Sequence, residues 1–156
     1  MAAVDPPAPA HKLKLLIDTN VLLDVVLERK PWVEDGTALL DGLAKARADG
    51  YVASHTIPTV YYVVARARSR AAATTATSDL LQLLTVVPLG NAGFQRALAL
   101  NLKDFEDAAQ AAACLEVGAD CLVTRNPTDY DGAPVTLRSA GEALALLPPP
   151  VPGTPA

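Results

Sequence analysis

The chain of 156 residues is long enough for one domain with its own hydrophobic core. Its composition is 51% hydrophobic and 19% charged, which is typical of a globular protein and excludes a wholly disordered chain. The net charge of -4 argues against a protein that coats nucleic acid through bulk positive charge, but it leaves room for a local basic groove.

Segments rich in Pro and Ala at both ends predict flexible tails over residues 1–11 and 148–156. The first of them lacks the apolar stretch of a secretory signal. We therefore predict one folded domain over residues 12–147, with no membrane-spanning segment and a cytoplasmic location. Cys114 and Cys121 lie in apolar stretches, which favours buried free thiols.

Apolar periodicity predicts strands and helices that alternate along the chain. In order, they are a strand in 13–18, helices in 19–29 and 33–48, a strand in 51–53, helices in 57–70 and 77–84, a strand in 85–89, helices in 91–100 and 104–117, strands in 120–124 and 135–137, and a helix in 139–147. Gly50 is expected to close the helix that precedes it. Short apolar strands between helices predict an α/β fold with a mainly parallel sheet and helices on both faces.

Candidate site residues come directly after two of the predicted strands. Asp18 follows the first strand, with Asn20 two residues later, and Thr124 ends the strand DCLVT. Because sites in parallel α/β sheets form beyond the carboxyl ends of the strands, we expect these side chains to share one edge. Further polar residues expected near that edge are Arg125, Asn126, Asp129 and, at the start of a late helix, Asp104, Glu106 and Asp107.

Carboxylates gathered in one small volume repel one another unless a cation or protons offset their charge. Oxygen ligands select hard divalent cations such as Mg²⁺ or Mn²⁺. Such ions activate a water molecule and stabilise in-line displacement at a phosphodiester. The pattern therefore favours a metal-dependent phosphodiesterase site.

Most of these residues also have a purely structural interpretation. Asp18 or Thr19 is a suitable cap for the following helix. Asp104 and Asp107 fit a capping-box-like arrangement, in which capping is the stronger interpretation for Asp104. The segment TRNPTDYDG is compatible with a simple turn.

Two further sets of polar residues have structural interpretations of the same kind. Arg66, Arg68 and Arg70 suit a solvated helix end, where positive charge is favourable. His55 suits a polar residue at the end of a strand. The conjunction of the acidic positions, and no single one of them, supports a functional site.

Three segments resemble the PIN-domain family, the metal-dependent ribonucleases that include the toxins of VapBC-type toxin–antitoxin pairs. They read LLIDTNVLLDVVL, ASHTIPTVYYVVAR and DFEDAAQAAACLEVGADCLVTRNPTDY, stand in the family's order, and extend the resemblance over most of residues 13–137. The last segment is the most specific of the three. The resemblance implies a three-layer α/β/α sandwich around a mainly parallel central sheet.

The resemblance also implies roles for the matching residues. Asp18 and Asp107 match acids that bind the metal ion. Asn20 matches a polar residue that supports the first acid, and Thr124 matches a hydroxyl residue that orients the cluster.

Two positions depart from the family pattern. In many members a fourth acid stands where this chain has Asn126, so that Asp129 is the nearest carboxylate and Asp104 a reserve. The Glu that the family usually carries early in the helix after the second strand is replaced by Thr59, and residues 57–70 contain no Asp or Glu. The loss predicts weaker metal binding and leaves an alternative, a degenerate PIN-fold protein that binds RNA or an antitoxin without cleaving.

The function implied by the resemblance is an endoribonuclease that uses one or two Mg²⁺ or Mn²⁺ ions and has a cognate antitoxin and a homodimer as partners. Aromatic residues make up only 4% of the chain, which predicts a limited part for base stacking. The residues expected to contact RNA phosphates are Arg66, Arg68, Arg70 and Arg125.

Two other enzyme classes place an Asp after the first strand. Phosphotransfer enzymes of the haloacid dehalogenase type need a second Asp two residues later, where this chain has Asn20, and they need a late Lys. Receiver-type signalling domains also need a late Lys. No Lys follows Lys103 in this chain, which argues against both classes.

Overall fold

The computed structural model of the chain describes residues 11–153. The tail predicted for residues 1–11 lies almost wholly outside the described residues, as do the last three residues of the second tail. Within the described part of that second tail, residues 148–153 form no helix or strand. None of the helices within residues 11–153 combines the length and apolar character needed to cross a membrane.

The centre of the fold is a sheet of five parallel strands in the order β3-β2-β1-β4-β5. The strands are β1 (Lys14–Ile17), β2 (Asp49–Ala53), β3 (Thr85–Val87), β4 (Cys121–Val123) and β5 (Leu137–Arg138). The chain builds outward from β1 to β3 and then returns to the other side of β1 with β4. This reversal makes the gap between the carboxyl ends of β1 and β4 the topological switch point, where α/β sheets place their ligands.

Within residues 11–153, seven helices cover the two faces of the sheet. They are α1 (Thr19–Val26), α2 (Val33–Ala44), α3 (Thr56–Ala67), α4 (Arg70–Leu83), α5 (Asn91–Leu100), α6 (Phe105–Val117) and α7 (Ala140–Leu146). A short 3₁₀ turn, Pro127–Tyr130, lies between β4 and β5.

Each face of the sheet has its own hydrophobic core. Leu15 and Ile17 of β1 pack with residues of α1, α2, α3, α4 and α7, whereas Leu16 packs on the opposite face with α5 and α6. This alternation follows from the two-residue period of a strand, and burial on both faces explains why Leu15, Leu16 and Ile17 are all apolar. A run of Ala residues in α6, all buried, brings that helix close to the sheet. The predicted α/β fold, with helices on both faces of a parallel sheet, is confirmed.

Two boundaries predicted for α2 and β2 are wrong. The helix predicted over residues 33–48, with Gly50 as its terminator, ends at Ala44, and Gly50 lies inside β2. A Cβ on Gly50 would lie 2.6 Å from Leu84 Cδ2 and 2.7 Å from Leu43 Cδ1. The glycine therefore serves close packing of side chains over the strand rather than helix termination.

The helices after β2 also differ from the prediction. A helix was predicted to run to Arg70 and another to begin at residue 77, but α3 ends at Ala67 and α4 begins at Arg70. Ser69 separates them, since its Oγ accepts a hydrogen bond of 3.0 Å from the backbone N–H of Ala72. The first turns of α4 contain mainly Ala and Thr and carry little apolar periodicity. Cys114 and Cys121 are buried free thiols, as predicted.

Candidate active site

Asp18 stands at the switch point, between the end of β1 and the first residue of α1. Its backbone N–H donates to the carbonyl of Val123 at 2.9 Å, which ties it to β4. Its side chain is only 4% exposed and makes no capping hydrogen bond to α1, although the residue occupies the capping position. Asp18 therefore has no side-chain cap of ordinary hydrogen-bond geometry, although the backbone N–H groups of Thr19 and Asn20 act on its carboxylate.

Thr124 holds the Asp18 carboxylate from the neighbouring strand. The Thr124 hydroxyl accepts a hydrogen bond of 3.1 Å from the backbone N–H of Asn126, so its own proton is free to donate to Asp18 Oδ2 at 2.8 Å. Asn126 thus acts here through its backbone. Asn20 lies in the first turn of α1, next to this pair of residues.

Burial raises the pKa of the Asp18 carboxyl above its usual value. The Thr124 hydroxyl, the Tyr130 hydroxyl and the nearby backbone N–H groups of α1 lower the pKa by smaller amounts. The fold therefore places Asp18 where its negative charge is costly unless a positive charge or further donors approach it.

Asp107 lies in the first turn of α6, near the same edge of the sheet as Asp18. Its backbone N–H donates to Asp104 Oδ1 at 3.1 Å, so Asp104 is an N-cap, as its structural interpretation predicted. The Asp107 carboxyl is not used in this contact. Burial, and then the charges of Asp104, Asp18, Asp129 and Glu106, raise the pKa of Asp107 to about 7.

An open cleft of about 830 Å³ lies in front of Asp107. Its walls include Asp104, Asp129 and Asp131 from the two segments that follow α5 and β4, with Lys103 at one side. Asp129 is exposed, and its charge acts on Asp107. Asp131 was not among the predicted site residues, because its segment, TRNPTDYDG, is also typical of a simple turn.

Tyr130 lies beneath this cluster. Its side chain is 1% exposed, and its hydroxyl has no hydrogen-bond partner among the described residues that meets ordinary geometry. Burial, together with the charges of Asp18, Asp107 and Asp129, raises the pKa of the phenol above its usual value, so that it stays protonated at neutral pH. A protonated hydroxyl beside three carboxylates is available as a donor to them.

Thr59 and His55 lie on the α3 side of the site. The Thr59 hydroxyl donates to the carbonyl of His55 at 2.9 Å, one turn back along the helix, so that position 59 supplies neither a negative charge nor a free proton. Both ring nitrogens of His55 are buried and have no hydrogen-bond partner within residues 11–153. Burial lowers the pKa of His55, whereas the charge of Asp18 raises it, which places the imidazole within the field of that carboxylate.

A buried polar network joins the three segments that carry the site. Gln110 Nε2 donates to Thr19 Oγ1 at 2.8 Å and to Thr56 Oγ1 at 2.9 Å, and the two hydroxyls are 2.8 Å apart. Thr19 adjoins Asp18, and Gln110 lies one turn after Asp107. The network therefore fixes α1, α3 and α6 relative to one another directly behind the carboxylates.

The residues present fit a hard divalent cation with few protein ligands. Among residues 11–153 no group of three or more Asp, Glu, His and Cys side chains is arranged to hold a metal ion. Mg²⁺, however, commonly keeps several waters and uses one or two carboxylates together with substrate phosphates. Asp18 and Asp107 supply such oxygen donors; burial raises the pKa of both, and neighbouring carboxylates raise that of Asp107 further, so a cation would offset the cost of their negative charges.

The structure does not bring all of the predicted arginines to the carboxylates. Because α3 starts at the site and runs away from it, Arg66 and Arg68 lie roughly 15 Å along the helix axis from its first residue. Arg68 is 3.7 Å from Glu28, and Arg70 begins α4 beyond them. Arg125, in contrast, follows Thr124 directly and borders the site, so contact between RNA and the three distant arginines stays a prediction.

Comparison with known proteins gives a consistent set of relatives. The PIN domain family matches residues 14–128 of this chain. Ribonuclease VapC1 from Aquifex aeolicus is 25% identical over 122 residues, covering 75% of this chain and 84% of that protein.

Solved structures share the fold at lower sequence identity. The crystal structure of VapBC2 from Rickettsia felis, bound to a promoter DNA fragment, matches with a TM-score of 0.66 and 14% identity, over 81% of this chain and 98% of the other. A toxin–antitoxin complex from Klebsiella pneumoniae matches with a TM-score of 0.63 and 21% identity, over 81% and 97% of the two chains.

Proposed function

Because the chain belongs to the PIN-domain family, we propose that it is an endoribonuclease that hydrolyses RNA phosphodiester bonds with Mg²⁺ or Mn²⁺. The observation that carries the proposal is the buried Asp18 carboxylate at the switch point, which is held by Thr124 and whose charge acts on Asp107 in the acidic cleft. The name of the Aquifex aeolicus relative, a ribonuclease, supports the same substrate class.

Each residue of the site has a distinct part in this proposal. A bound divalent cation supplies Lewis-acid stabilisation of the phosphodiester and lowers the pKa of the attacking water. Asp18 and Asp107 are the residues that would hold it, with Asp129 at the rim of the cleft. Thr124 fixes the orientation of Asp18 by donating to Oδ2, which leaves Oδ1 free of that contact. No side chain is required as a nucleophile.

The test is cleavage of a mixed structured RNA in Mg²⁺ or Mn²⁺, with EDTA as the metal-free control. We expect Asp18→Asn and Asp107→Asn each to abolish cleavage. Asp41→Asn, which alters an exposed carboxylate paired with Lys45 on α2, is the matched control and should cleave at the wild-type rate. If the unaltered protein neither cleaves RNA nor binds Mn²⁺ in calorimetry, the proposed nuclease activity is refuted.

A second candidate function is a PIN-fold protein that binds RNA or an antitoxin without cleaving. Thr59 favours it, because its hydroxyl is bonded to the helix backbone and the usual carboxylate is missing. The lack of three converging ligands among the described residues favours it as well. Binding of RNA without cleavage, under conditions in which Mn²⁺ binds, would select this candidate.

We further propose that the nuclease is the toxin of a toxin–antitoxin pair and forms a homodimer. The Klebsiella pneumoniae structure is described as such a complex, which supports an antitoxin as partner. An apolar groove of about 500 Å³, lined by Val25, Leu40, Val64 and Leu80, offers a partner contact surface away from the carboxylates. Induced expression should arrest growth with the wild-type chain and not with Asp18→Asn. A molar mass of twice the chain mass, measured by light scattering, would support the homodimer.

A further inference from the structure

Trp32 is the only tryptophan in the chain, and it is 44% exposed at the start of α2. The Arg125 guanidinium carbon lies 4.1 Å from the centroid of the Trp32 ring, which favours one orientation of that ring. A guanidinium stacked on an aromatic ring gains a cation–π attraction of about 1 kcal/mol at a site of this exposure. An exposed aromatic side chain held in one orientation is a preformed stacking surface.

Arg125 forms an ion pair with a buried carboxylate. Asp24 on α1 is fully buried, and its Oδ2 lies 3.2 Å from Arg125 Nε in an ion pair, with Arg29 at 3.7 Å from the other oxygen. Because the positive charge of Arg125 is compensated there, this side chain is better suited to positioning Trp32 than to binding a phosphate. The stack therefore extends from the core at Asp24 to the surface at Trp32.

A cavity of about 320 Å³ opens beside this stack, between α2, β5 and the segment that follows β4. The residues of its lining that matter here are Trp32, Thr124, Arg125, Pro127, Arg138 and Glu142. Thr124 joins the cavity to the site, since its hydroxyl holds the Asp18 carboxylate. The acidic cleft lies along the same segment, at Thr128 and Asp129, so the segment has the cleft at one end and this cavity at the other.

The chemistry of the cavity suits a base better than a phosphate. Arg138 offers hydrogen-bond donors, and Glu142 offers an acceptor whose negative charge counteracts the binding of an anion. The backbone N–H of Ser139 donates to Glu142 Oε1 at 3.0 Å and is the largest cause of the lowered pKa of Glu142, to which the charge of Arg138 adds less; Oε2 is the acceptor outside this capping contact. A neutral heteroaromatic ring with donors and acceptors on its edges, and a face to stack, matches this lining. A second cavity at Trp32, of about 200 Å³, carries Asp24 and Asp35 and is less suited to a nucleotide.

We propose that the cavity between Trp32, Arg138 and Glu142 is a subsite for a nucleobase of the RNA strand, next to the phosphate that enters the Asp18–Asp107 site. The proposal rests on the nuclease function above and assigns Trp32 as a substrate-binding residue. It gives base stacking one defined place in a chain that has few aromatic residues.

The test uses the fluorescence of Trp32, which is the only tryptophan signal of the protein. A single-stranded eight-nucleotide RNA of mixed sequence is titrated into the wild-type protein in EDTA, and again in Ca²⁺. We expect saturable quenching of Trp32 and reduced access of acrylamide to the ring. An abasic oligomer of the same length should produce neither change. Quenching that is equal with the abasic oligomer, or no change with the RNA under both conditions, would overturn the proposal.

Variants test the same point by the anisotropy of a labelled RNA. Because stacking on one aromatic side chain is a substantial part of the affinity for a base, Trp32→Leu should weaken binding roughly tenfold, and Trp32→Phe should weaken it less. Tyr62→Leu is the matched control, since Tyr62 is also exposed beside an arginine, at 5.6 Å from Arg66, but lies on α3. It should bind RNA as the wild type does. Circular dichroism confirms that each variant is folded.

The outcomes separate the subsite from the nuclease. Quenching of Trp32 by RNA, combined with no RNA cleavage in Mg²⁺ or Mn²⁺, would support the subsite and refute the nuclease activity. Cleavage with the same KM in wild type and Trp32→Leu would leave the nuclease standing and overturn the subsite.

Discussion

The raised pKa of Asp107 predicts that this carboxylate destabilises the metal-free protein at neutral and higher pH. Its pKa rises from 3.8 to about 7. Between these values the folded state binds more protons than the unfolded state, so stability falls as pH rises from about 4 to about 7. This difference between the folded and unfolded pKa of Asp107 corresponds to at most about 4 kcal/mol in the free energy of unfolding. Because Asp107 is partly exposed, solvent screening reduces this to about 1–2 kcal/mol.

The perturbation is Asp107→Asn, which removes the charge and nearly preserves the shape. In EDTA at pH 8 the variant should have a free energy of unfolding about 1–2 kcal/mol higher than the wild type, measured by urea denaturation. At pH 4 the two proteins should differ little, because the wild-type carboxyl is then protonated. Asp41→Asn, an exposed carboxylate on α2, should show no such dependence on pH.

The addition of Mn²⁺ reverses the order of the two proteins. A cation that binds the folded state stabilises the wild type by mass action, and the variant should gain less because a ligand is gone. The reasoning would be refuted by a variant that is as stable as the wild type or less so at pH 8, or by a difference that does not change between pH 4 and pH 8.

Three further variants test the surroundings of the site. Tyr130→Phe removes a buried hydroxyl that lowers the pKa of Asp18 but has no partner of ordinary hydrogen-bond geometry among the described residues, so the free energy of unfolding in EDTA should fall by less than about 1 kcal/mol; a larger loss would mean that the hydroxyl forms a full hydrogen bond. Gln110→Met removes two buried hydrogen bonds, to Thr19 and Thr56, and should cost about 2 kcal/mol in urea denaturation; no change would contradict a positioning role. Thr59→Glu restores the carboxylate of the family pattern and should tighten Mn²⁺ binding in calorimetry by about tenfold, whereas unchanged affinity would place that position outside the metal site.

The sequence predicts the fold because local patterns carry it. The apolar runs of β1 and β4, each followed by a polar residue, indicate buried parallel strands and locate the switch point between Asp18 and Thr124. The cap at Asp104 is likewise visible as a local signal. What these patterns do not contain is which side chains meet when the elements pack.

The contacts that sequence reasoning missed are all between segments far apart in the chain. Gln110 meets Thr19 and Thr56 across 91 and 54 residues. Arg125 meets Asp24 across most of the domain, and only that ion pair explains why Arg125 stacks on Trp32 instead of pointing freely to solvent. Gly50 was missed for the same reason, since its role depends on Leu84 and Leu43 rather than on its neighbours in sequence.

The missing Glu at position 59 affects the number of ligands more than the charge of the site. The cleft still carries Asp104, Asp107, Asp129 and Asp131 against Lys103, and the pKa of Asp107 still rises to about 7 without a carboxylate on α3. A cation is therefore still attracted to this edge of the sheet. In the proposed metal site, Thr59 in place of Glu would leave one coordination position without a protein oxygen, which a water could fill for Mg²⁺. Weak binding by few protein ligands, rather than loss of binding, is therefore the consequence expected of Thr59, and cleavage rather than metal binding separates the proposed nuclease from the degenerate alternative.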